Sequence, residues 1–278
     1  MPHEKVKKIG RILVLHQAAL GDFVLIWPFI RRLGAVDVTV VTDLDKARLA
    51  KRYLPELRGI RDIESPLWNV LWRRLGLGDE WLGEYPQVEL IESFISEPGS
   101  IWHESAGQVF PNARITHHQT KPPVRVDDPA FQPVIQQNPG GPIVFHVGAG
   151  SNAKRWPIVR SIELAEALDH AVLIAGEVEQ ERFTRTERAA FTNDGGRFCD
   201  SLDALGDVIE SARLFIGFDS GPTHLAAQIG IPTMALFGPT DPGVWAPIGP
   251  AVRVIAPDTP TAMDWLSPSD VLHRLLQD

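Results

Sequence analysis

Cysteine is almost absent from this 278-residue sequence: Cys199 stands alone, so no disulfide bond can form within the chain. This is typical of a reducing compartment, and we expect a cytoplasmic protein. Long hydrophobic runs are absent too, since none approaches the roughly 20 apolar residues that span a bilayer. The N-terminal segment is charged, with neither a long apolar core nor a small-residue cleavage site, and we expect no signal peptide.

Positive charge is also scarce, because 27 Lys and Arg residues face 35 Asp and Glu residues, for a net charge of −8. This balance argues against general nucleic-acid binding, although it leaves room for a local basic cleft. Hydrophobic residues make up 44% and charged residues 22%, which is typical of a soluble globular protein. The length suffices for two domains of ordinary size.

Apolar runs and helical patterns alternate along both halves of the chain. Residues 12–15 and 36–41 predict strands, and residues 23–33 and 44–53 predict helices, which implies a parallel sheet covered by helices. The second half repeats this order from residue 143: residues 143–146, 171–175 and 252–255 predict strands, and residues 178–191 predict a charged helix. A proline-rich segment that ends at Pro139 predicts a stiff linker. We therefore predict one domain over residues 1–139 and a second, similar α/β domain over residues 140–278.

Residues 66–81 place aromatic and aliphatic side chains beside Arg73 and Arg74. One interpretation is an amphipathic helix whose apolar side faces the core. The other is an element that binds a membrane surface or an acceptor substrate. The pattern alone leaves both open.

Residues 213–245 read strand, turn, helix, strand and turn. The apolar run at 214–216 predicts a buried strand, and Pro222 suits the first turn of a short helix that ends at Gly230. Asp219 or Ser220 suits the N-cap position of this helix. A helix that begins at the carboxyl end of a strand directs N–H groups at anions, so we predict a phosphate site here. His224 either satisfies backbone groups locally or contacts phosphate.

A second anion-binding loop is predicted between the strand at 143–146 and the next helix. Gly148 and Gly150 allow the backbone to approach a ligand, Ser151 can donate to phosphate, and Lys154 supplies positive charge. The loop matches neither of the common glycine-rich nucleotide fingerprints. Ligands of open α/β sheets bind at the carboxyl edge, where both loops are expected.

Asp22 follows a small-residue loop at the start of a predicted helix. It can serve as the N-cap, as a general base, or as both. Asp43 and Asp45 match a short metal-binding pattern, but an aspartate after a strand is commonly a turn or N-cap residue. His117 and His118 lack a carboxylate or cysteine at ligand spacing. We therefore expect no metal site.

Three segments of the chain stand out in order and in spacing: ILVLHQAALGDFVLIWPFIRRL, VFHVGAGSNAKRWP and FDSGPTHLAAQIGIPTMALFGPTDPGVW. Together they resemble glycosyltransferase family 9, the lipopolysaccharide heptosyltransferase family. They cover roughly a quarter of the chain, and the third segment is the most specific.

The resemblance implies a GT-B fold of two facing Rossmann-like domains with parallel sheets. It implies an inverting transferase without a metal or other cofactor, with ADP-heptose as the usual donor and a lipopolysaccharide or other cell-envelope glycan as acceptor. Such an enzyme would be cytoplasmic and could contact the inner membrane peripherally, with no nucleic-acid partner. A non-catalytic nucleotide-sugar binding protein and a GT-B sugar-nucleotide epimerase remain alternatives.

Site residues carried over by resemblance fall in both halves of the chain. Asp22 resembles the catalytic base. Lys154 resembles the lysine that neutralises the donor diphosphate, with the Ser151 hydroxyl beside it. Glu177 and Glu179 both fit the acidic residue that holds the ribose. The phosphate-binding helix start comprises Asp219, Ser220, Gly221, Pro222, Thr223 and His224.

Overall fold

The computed structural model describes residues 10–33, 37–73, 87–119, 134–168 and 171–277. The chain divides into two compact units, residues 1–126 and 127–278. The division and the prolines of the predicted linker before Pro139 lie outside the described residues. Val134 and Ile135 donate backbone hydrogen bonds to the Ile229 carbonyl at 3.1 and 3.3 Å, so the segment leading to Pro139 is paired with the second unit.

The first unit contains a five-stranded sheet in the order β3-β2-β1-β4-β5, and its strand pairs are parallel. The strands are β1 Arg11–Leu15, β2 Asp37–Thr42, β3 Leu57–Asp62, β4 Val88–Ser93 and β5 Arg114–His117. The helices are α1 Leu20–Leu25, α2 Trp27–Arg32, α3 Leu44–Tyr53, α4 Pro66–Asn69 and α5 Ile101–Val109, and a 3-10 turn covers Val70–Trp72.

The second unit contains a six-stranded parallel sheet in the order β11-β10-β9-β6-β7-β8. The strands are β6 Ile143–His146, β7 Ala171–Ala175, β8 Arg197–Phe198, β9 Leu214–Phe218, β10 Thr233–Leu236 and β11 Val252–Ile255. The helices are α6 Ile158–Ala167, α7 Glu177–Arg182, α8 Arg185–Asn193, α9 Leu202–Glu210, α10 Gly221–Ile229, α11 Pro242–Trp245 and α12 Pro268–Leu275, with 3-10 turns at Asn152–Lys154 and Met263–Trp265.

Both sheets have the strand order of a Rossmann fold. Within each unit the order reverses once, between β1 and β4 in the first unit and between β6 and β9 in the second. Ligands of such sheets bind in the crevice at the carboxyl ends of these two strands. The prediction of α/β units with parallel sheets is confirmed, and the predicted loops after β1, β6 and β9 lie at the reversal points.

The central strands are apolar along their length because helices cover both faces of a parallel sheet. Leu13, Leu15 and Ile91 are fully buried in the core of the first unit. In the second unit, the Phe145 and Trp156 rings pack edge to face at 6.4 Å beside the fully buried Phe218. These cores hold the strands, and therefore the loops at their carboxyl ends, in place.

The helix predicted over residues 23–33 is two helices, α1 and α2, with Ile26 between them. Pro28 lies in the first turn of α2, and a proline has no N–H to donate to the carbonyl four residues earlier. One continuous helix through this position would lose that bond, so the chain begins a second helix instead.

The charged helix predicted over residues 178–191 is also divided, into α7 and α8. Thr184 is the N-cap of α8: its hydroxyl accepts from the Glu187 N–H at 3.2 Å, and the Glu187 carboxylate accepts from the Thr184 N–H at 3.0 Å. This reciprocal pair is a capping box, which begins a new helix.

The 66–81 segment is described only as far as Arg73. Trp68 and Leu71 are buried in the core of the first unit, in agreement with the core-facing interpretation, whereas Trp72 is 41% exposed. The remainder of this segment lies outside the described residues. Among the helices that the structure describes, each is too short or too polar to cross a bilayer.

Candidate functional site

A cluster of polar side chains lies at the carboxyl ends of β6, β9 and β10. Lys154 Nζ donates to Asp219 Oδ2 at 2.8 Å, and Thr240 Oγ1 donates to the same oxygen at 2.8 Å. His224 Nε2 lies 3.6 Å from the other carboxylate oxygen, Asp219 Oδ1. The cluster thus joins the loop after β6, the turn after β9, helix α10 and the loop after β10.

Asp219 is the centre of this cluster. Burial acts to raise the pKa of its carboxyl group, but the polar contacts of His224, Lys154 and Thr240 and the charge of Lys154 outweigh it and lower the pKa to about 2. Asp219 is therefore ionised at neutral pH, and its charge is neutralised by its neighbours.

The two members of the ion pair differ in exposure: the Lys154 side chain is 30% exposed and that of Asp219 only 7%. A carboxylate would repel a phosphate, so Asp219 is suited to orient the lysine rather than to bind an anion. The Lys154 ammonium group has three N–H donors, and one of them donates to Asp219. The others can donate to a ligand. The pair therefore presents a fixed ammonium group at the carboxyl edge.

The hydroxyl groups at the start of α10 are occupied by local contacts. Thr223 Oγ1 donates to the Phe218 carbonyl at 2.6 Å and lies 3.0 Å from Ser220 Oγ. Thr223 is fully buried, and Ser220 is 7% exposed. These contacts fasten the start of α10 to the end of β9, and Thr223 supports the backbone rather than facing a ligand.

The backbone N–H groups of this helix start are only partly available. Thr223 and His224 donate to the Ser220 carbonyl at 3.1 and 3.2 Å, and Pro222 has no N–H. The Gly221 N–H has no hydrogen-bond partner within the described part of the chain. Of residues 221–224, Gly221 therefore offers the backbone donor for an anion.

The loop after β6 is shaped by close backbone packing. A Cβ at Gly148 would lie 2.0 Å from Glu179 Cδ, so any other residue there would displace the buried Glu179 side chain. Ser151 is exposed, and its carbonyl accepts from the Lys154 N–H at 3.1 Å. Arg182 Nη1, from the last turn of α7, donates to the Gly150 carbonyl at 2.9 Å and holds the loop from outside.

The two glutamates that the resemblance suggests for the ribose differ in burial. Glu179 is 6% exposed, its Oε2 accepts from the Gly176 N–H at 3.1 Å, and the same oxygen lies 3.7 Å from His146 Nε2. Its carboxylate therefore caps the start of α7. Glu177 is exposed in the first turn of α7, at the carboxyl end of β7, where a ligand can reach it.

Asp22 lies in the first unit, within the first turn of α1. The interpretation of Asp22 as the N-cap is wrong: the N-cap is Ala19, whose carbonyl accepts from the Phe23 N–H at 3.1 Å, and Asp22 is the third helical residue. The residue is 8% exposed. Lys46 Nζ donates to the Ala18 carbonyl at 2.8 Å and so fixes the loop that leads into α1.

His16 begins that loop and is 1% exposed, with its ring 5.3 Å from the Phe23 ring. Burial, assisted by the Lys46 charge, lowers the pKa of His16 from 6.5 to about 3. The loop beside Asp22 therefore carries a neutral imidazole at neutral pH.

This shift predicts a pH dependence of stability. Between pH 6.5 and about 3, His16 binds a proton in the unfolded chain but not in the folded one, so the free energy of unfolding falls as the pH falls. We expect His16→Gln to remove about 2 kcal/mol of the decline between pH 6.5 and 5, measured by urea denaturation. A decline as steep as that of the wild type, or an equal effect of replacing the exposed His273, would contradict this assignment.

The short aspartate pattern at 43–45 has structural roles. Asp43 is the N-cap of α3 and accepts from the Lys46 N–H at 3.3 Å, while Asp45 pairs with Arg48 at 3.2 Å. His117 Nε2 lies 2.6 Å from His103 Nδ1. Within the described ranges, no group of three or more His, Cys, Asp or Glu side chains is placed to hold a metal ion.

The structure thus brings together Lys154, Asp219 and His224 and places Asp22 in the other unit. Thr240 was missed by the sequence analysis. The sequence contains a signal for it, because it lies in the Gly-Pro-Thr-Asp turn that begins one residue beyond β10, the strand next to β9.

Known proteins resemble this chain in sequence and in fold. The model of glycosyltransferase family 9 (heptosyltransferase) matches residues 106–268, more than half of the chain. Lipopolysaccharide heptosyltransferase 1 of Pseudomonas aeruginosa is 34% identical over 131 residues, which are 45% of this chain and 37% of that protein. The matched segments span about a third of the length of such curated relatives.

Solved structures agree over nearly the whole chain. A family 9 glycosyl transferase from Veillonella parvula is 15% identical and superposes with a TM-score of 0.69 over 97% of each chain. The heptosyltransferase WaaC of E. coli, solved with ADP, is 15% identical and gives 0.66 over 96% of this chain and 99% of that one. These neighbours share the GT-B fold, and with the family match they show that the chain belongs to glycosyltransferase family 9.

Proposed function

We propose that this protein is an inverting, metal-independent glycosyltransferase that moves a heptose from ADP-heptose onto a lipopolysaccharide or related cell-envelope glycan. The names of its relatives support the reaction class, since the curated matches are lipopolysaccharide heptosyltransferases. A neighbour solved with ADP supports the adenine nucleotide. A cytoplasmic enzyme that contacts the inner membrane peripherally could reach such an acceptor. We propose no nucleic-acid partner.

The observation that carries the proposal is the ion pair between Lys154 and Asp219 at the start of α10. A diphosphate needs positive charge and N–H donors, and both converge where β6 and β9 end. The ammonium group of Lys154, the Ser151 hydroxyl and the Gly221 N–H supply them. In this proposal, Glu177 accepts from the ribose hydroxyls. Asp219 acts as a positioning residue, with Thr240 and His224 holding its carboxylate.

Transfer is a single displacement at the anomeric carbon. Asp22 takes the proton of the attacking acceptor hydroxyl, a bond forms between that oxygen and the anomeric carbon, and the bond from carbon to phosphate oxygen breaks. Negative charge grows on the departing ADP. Lys154 and the Gly221 N–H are fixed in advance and stabilise this charge without reorganising. No metal or other cofactor enters the scheme, because protein groups supply the positive charge.

A panel of donors tests the proposal. Melting temperatures would be compared for ADP-heptose, ADP, UDP-N-acetylglucosamine and UDP-glucose. A bound ligand at 100 times its Kd adds about 2.7 kcal/mol, so ADP-heptose and ADP are expected to raise the melting temperature clearly and the UDP-sugars to raise it little. Incubation with ADP-heptose and heptose-deficient lipopolysaccharide should then release ADP and extend the acceptor.

Other outcomes of the panel would contradict the proposal. Epimerisation of a UDP-sugar without acceptor would assign an epimerase. Donor binding without transfer would indicate a non-catalytic nucleotide-sugar binding protein.

A further inference from the structure

A carboxylate and an imidazole form a dyad in the first unit that the proposed mechanism does not use. His118 Nε2 lies 2.6 Å from Glu92 Oε2. Glu92 is 5% exposed, whereas the His118 side chain is 16% exposed. The carboxylate is therefore hidden behind an imidazole that solvent and ligands can reach.

The dyad lies at the carboxyl edge of the first sheet. Glu92 pairs with Val14 across β1 and β4, the two strands between which the order reverses. His118 directly follows β5, and its N–H donates to the Ser93 carbonyl at 2.8 Å. Side chains alternate along a strand, so Glu92 and Phe94 share one face of the sheet. This edge also carries the loop that leads to Asp22.

Aromatic rings fix the orientation of the imidazole. The His118 ring stacks on the buried Phe94 ring at 4.6 Å, and the Phe29 ring of α2 meets it nearly edge on at 4.9 Å. Phe29 is half-buried, so part of its apolar surface remains open. Phe94 in turn lies 6.1 Å from His16, at the start of the Asp22 loop.

The carboxylate also determines which nitrogen is available. A carboxylate next to one imidazole nitrogen keeps the proton on that nitrogen, here Nε2, and leaves the other for a different partner. No described residue forms a hydrogen bond with His118 Nδ1. Because the Glu92 charge lies directly behind the ring, the dyad is poorly suited to an anion. An Nδ1 acceptor beside an apolar ring suits a sugar, which offers a hydroxyl next to a C–H face.

We propose that Glu92, His118 and Phe29 form a subsite for a sugar of the acceptor, with His118 Nδ1 accepting a hydrogen bond from one of its hydroxyl groups. This inference rests on the proposed transfer to a glycan acceptor. Glu92 is a positioning residue that acts through His118, and Phe29 contacts the apolar face of the sugar.

Two substitutions of His118 distinguish the contribution of Nδ1 from that of Nε2. Gln at position 118 can still donate to Glu92 but has no atom at the place of Nδ1. Asn places its amide near Nδ1 and loses the Glu92 contact. His117→Gln is the matched control, because His117 points to the opposite face of the sheet, where it contacts Ser96 and His103.

Calorimetry on the full chain would use, as probe, the core oligosaccharide of heptose-deficient lipopolysaccharide. We expect His118→Gln to weaken its binding about three- to tenfold, the effect of one lost hydrogen bond, and His117→Gln to leave it unchanged. His118→Asn should retain more binding than His118→Gln, despite losing more stability. A merely structural ion pair predicts the reverse order.

Several results would overturn the inference. They are unchanged binding in His118→Gln, equal weakening in His117→Gln, and no oligosaccharide binding by the wild type. ADP binding, measured on the same samples, is expected to be equal in every variant. If the wild type does not bind ADP, the proposed function itself is contradicted. Failure of the subsite and failure of the proposed function therefore give different results.

Discussion

Asp22→Asn is expected to slow heptose transfer by about 10²- to 10⁴-fold, the usual contribution of a general base. The amide keeps the size of the carboxylate but cannot take the proton of the acceptor hydroxyl. Asp22 lies in the first unit, whereas the residues assigned to bind the diphosphate lie in the second unit. The Kd for ADP should therefore stay at the wild-type value. Initial rates of ADP release with acceptor, together with calorimetric titration of ADP, measure both quantities.

Asp45→Asn is the matched control for this experiment, since Asp45 is an exposed carboxylate of the same unit that pairs with Arg48. Its rate should stay within about twofold of the wild type, because exposed ion pairs contribute about 0–1 kcal/mol. If Asp22→Asn abolishes ADP binding while the fold survives, Asp22 is a binding residue and the assignment of the base is wrong.

Lys154→Gln is expected to weaken ADP binding by about 10- to 150-fold, the effect of losing a hydrogen bond to a charged group. Glutamine can still donate to Asp219, so the buried carboxylate keeps a partner and the fold is spared. Adenosine has no phosphate, and its affinity should change by less than about twofold, well below the loss for ADP. Calorimetric titration with each ligand separates the two effects.

Arg274→Gln is the matched control, because it also removes one positive charge from the second unit but at a position away from Lys154. Arg274 is exposed in the last turn of α12, where its carbonyl accepts from Arg253 near the start of β11, so it lies towards the amino edge of the sheet. ADP binding should be unchanged in this variant. Equal weakening of ADP and adenosine by Lys154→Gln, or equal weakening by Arg274→Gln, would contradict the role of Lys154.

Strands with buried apolar runs could be predicted from the sequence at their observed bounds, as β6, β7 and β11 show. The strands that were missed, β3 and β5, are edge strands. Their residues are mostly half-buried, and β3 contains Gly59 and charged side chains, so neither the alternation nor the apolar run of a core strand appears. The predicted helices that were wrong were interrupted by Pro28 and by the Thr184 capping box, which are local signals within otherwise helical patterns.

The loops of the site could also be placed from the sequence, but their side-chain pairing could not. Lys154 and Asp219 are 65 residues apart and meet because β6 and β9 are neighbours in the sheet. Which side chains then pair depends on rotamers and burial, and this is why Thr240 was missed and why Glu177 and Glu179 could not be separated. The Glu92–His118 dyad has no local motif, since it arises from the pairing of β4 with β5.

The product formed from ADP-heptose tests the central claim most directly. The full chain would be incubated with ADP-heptose and the core oligosaccharide of heptose-deficient lipopolysaccharide, with and without EDTA, and followed by NMR spectroscopy. The account predicts one new glycosidic linkage for each ADP released, with the anomeric configuration opposite to that of the donor and the same rate in EDTA. Retained configuration, or ADP release without a new linkage, would contradict it.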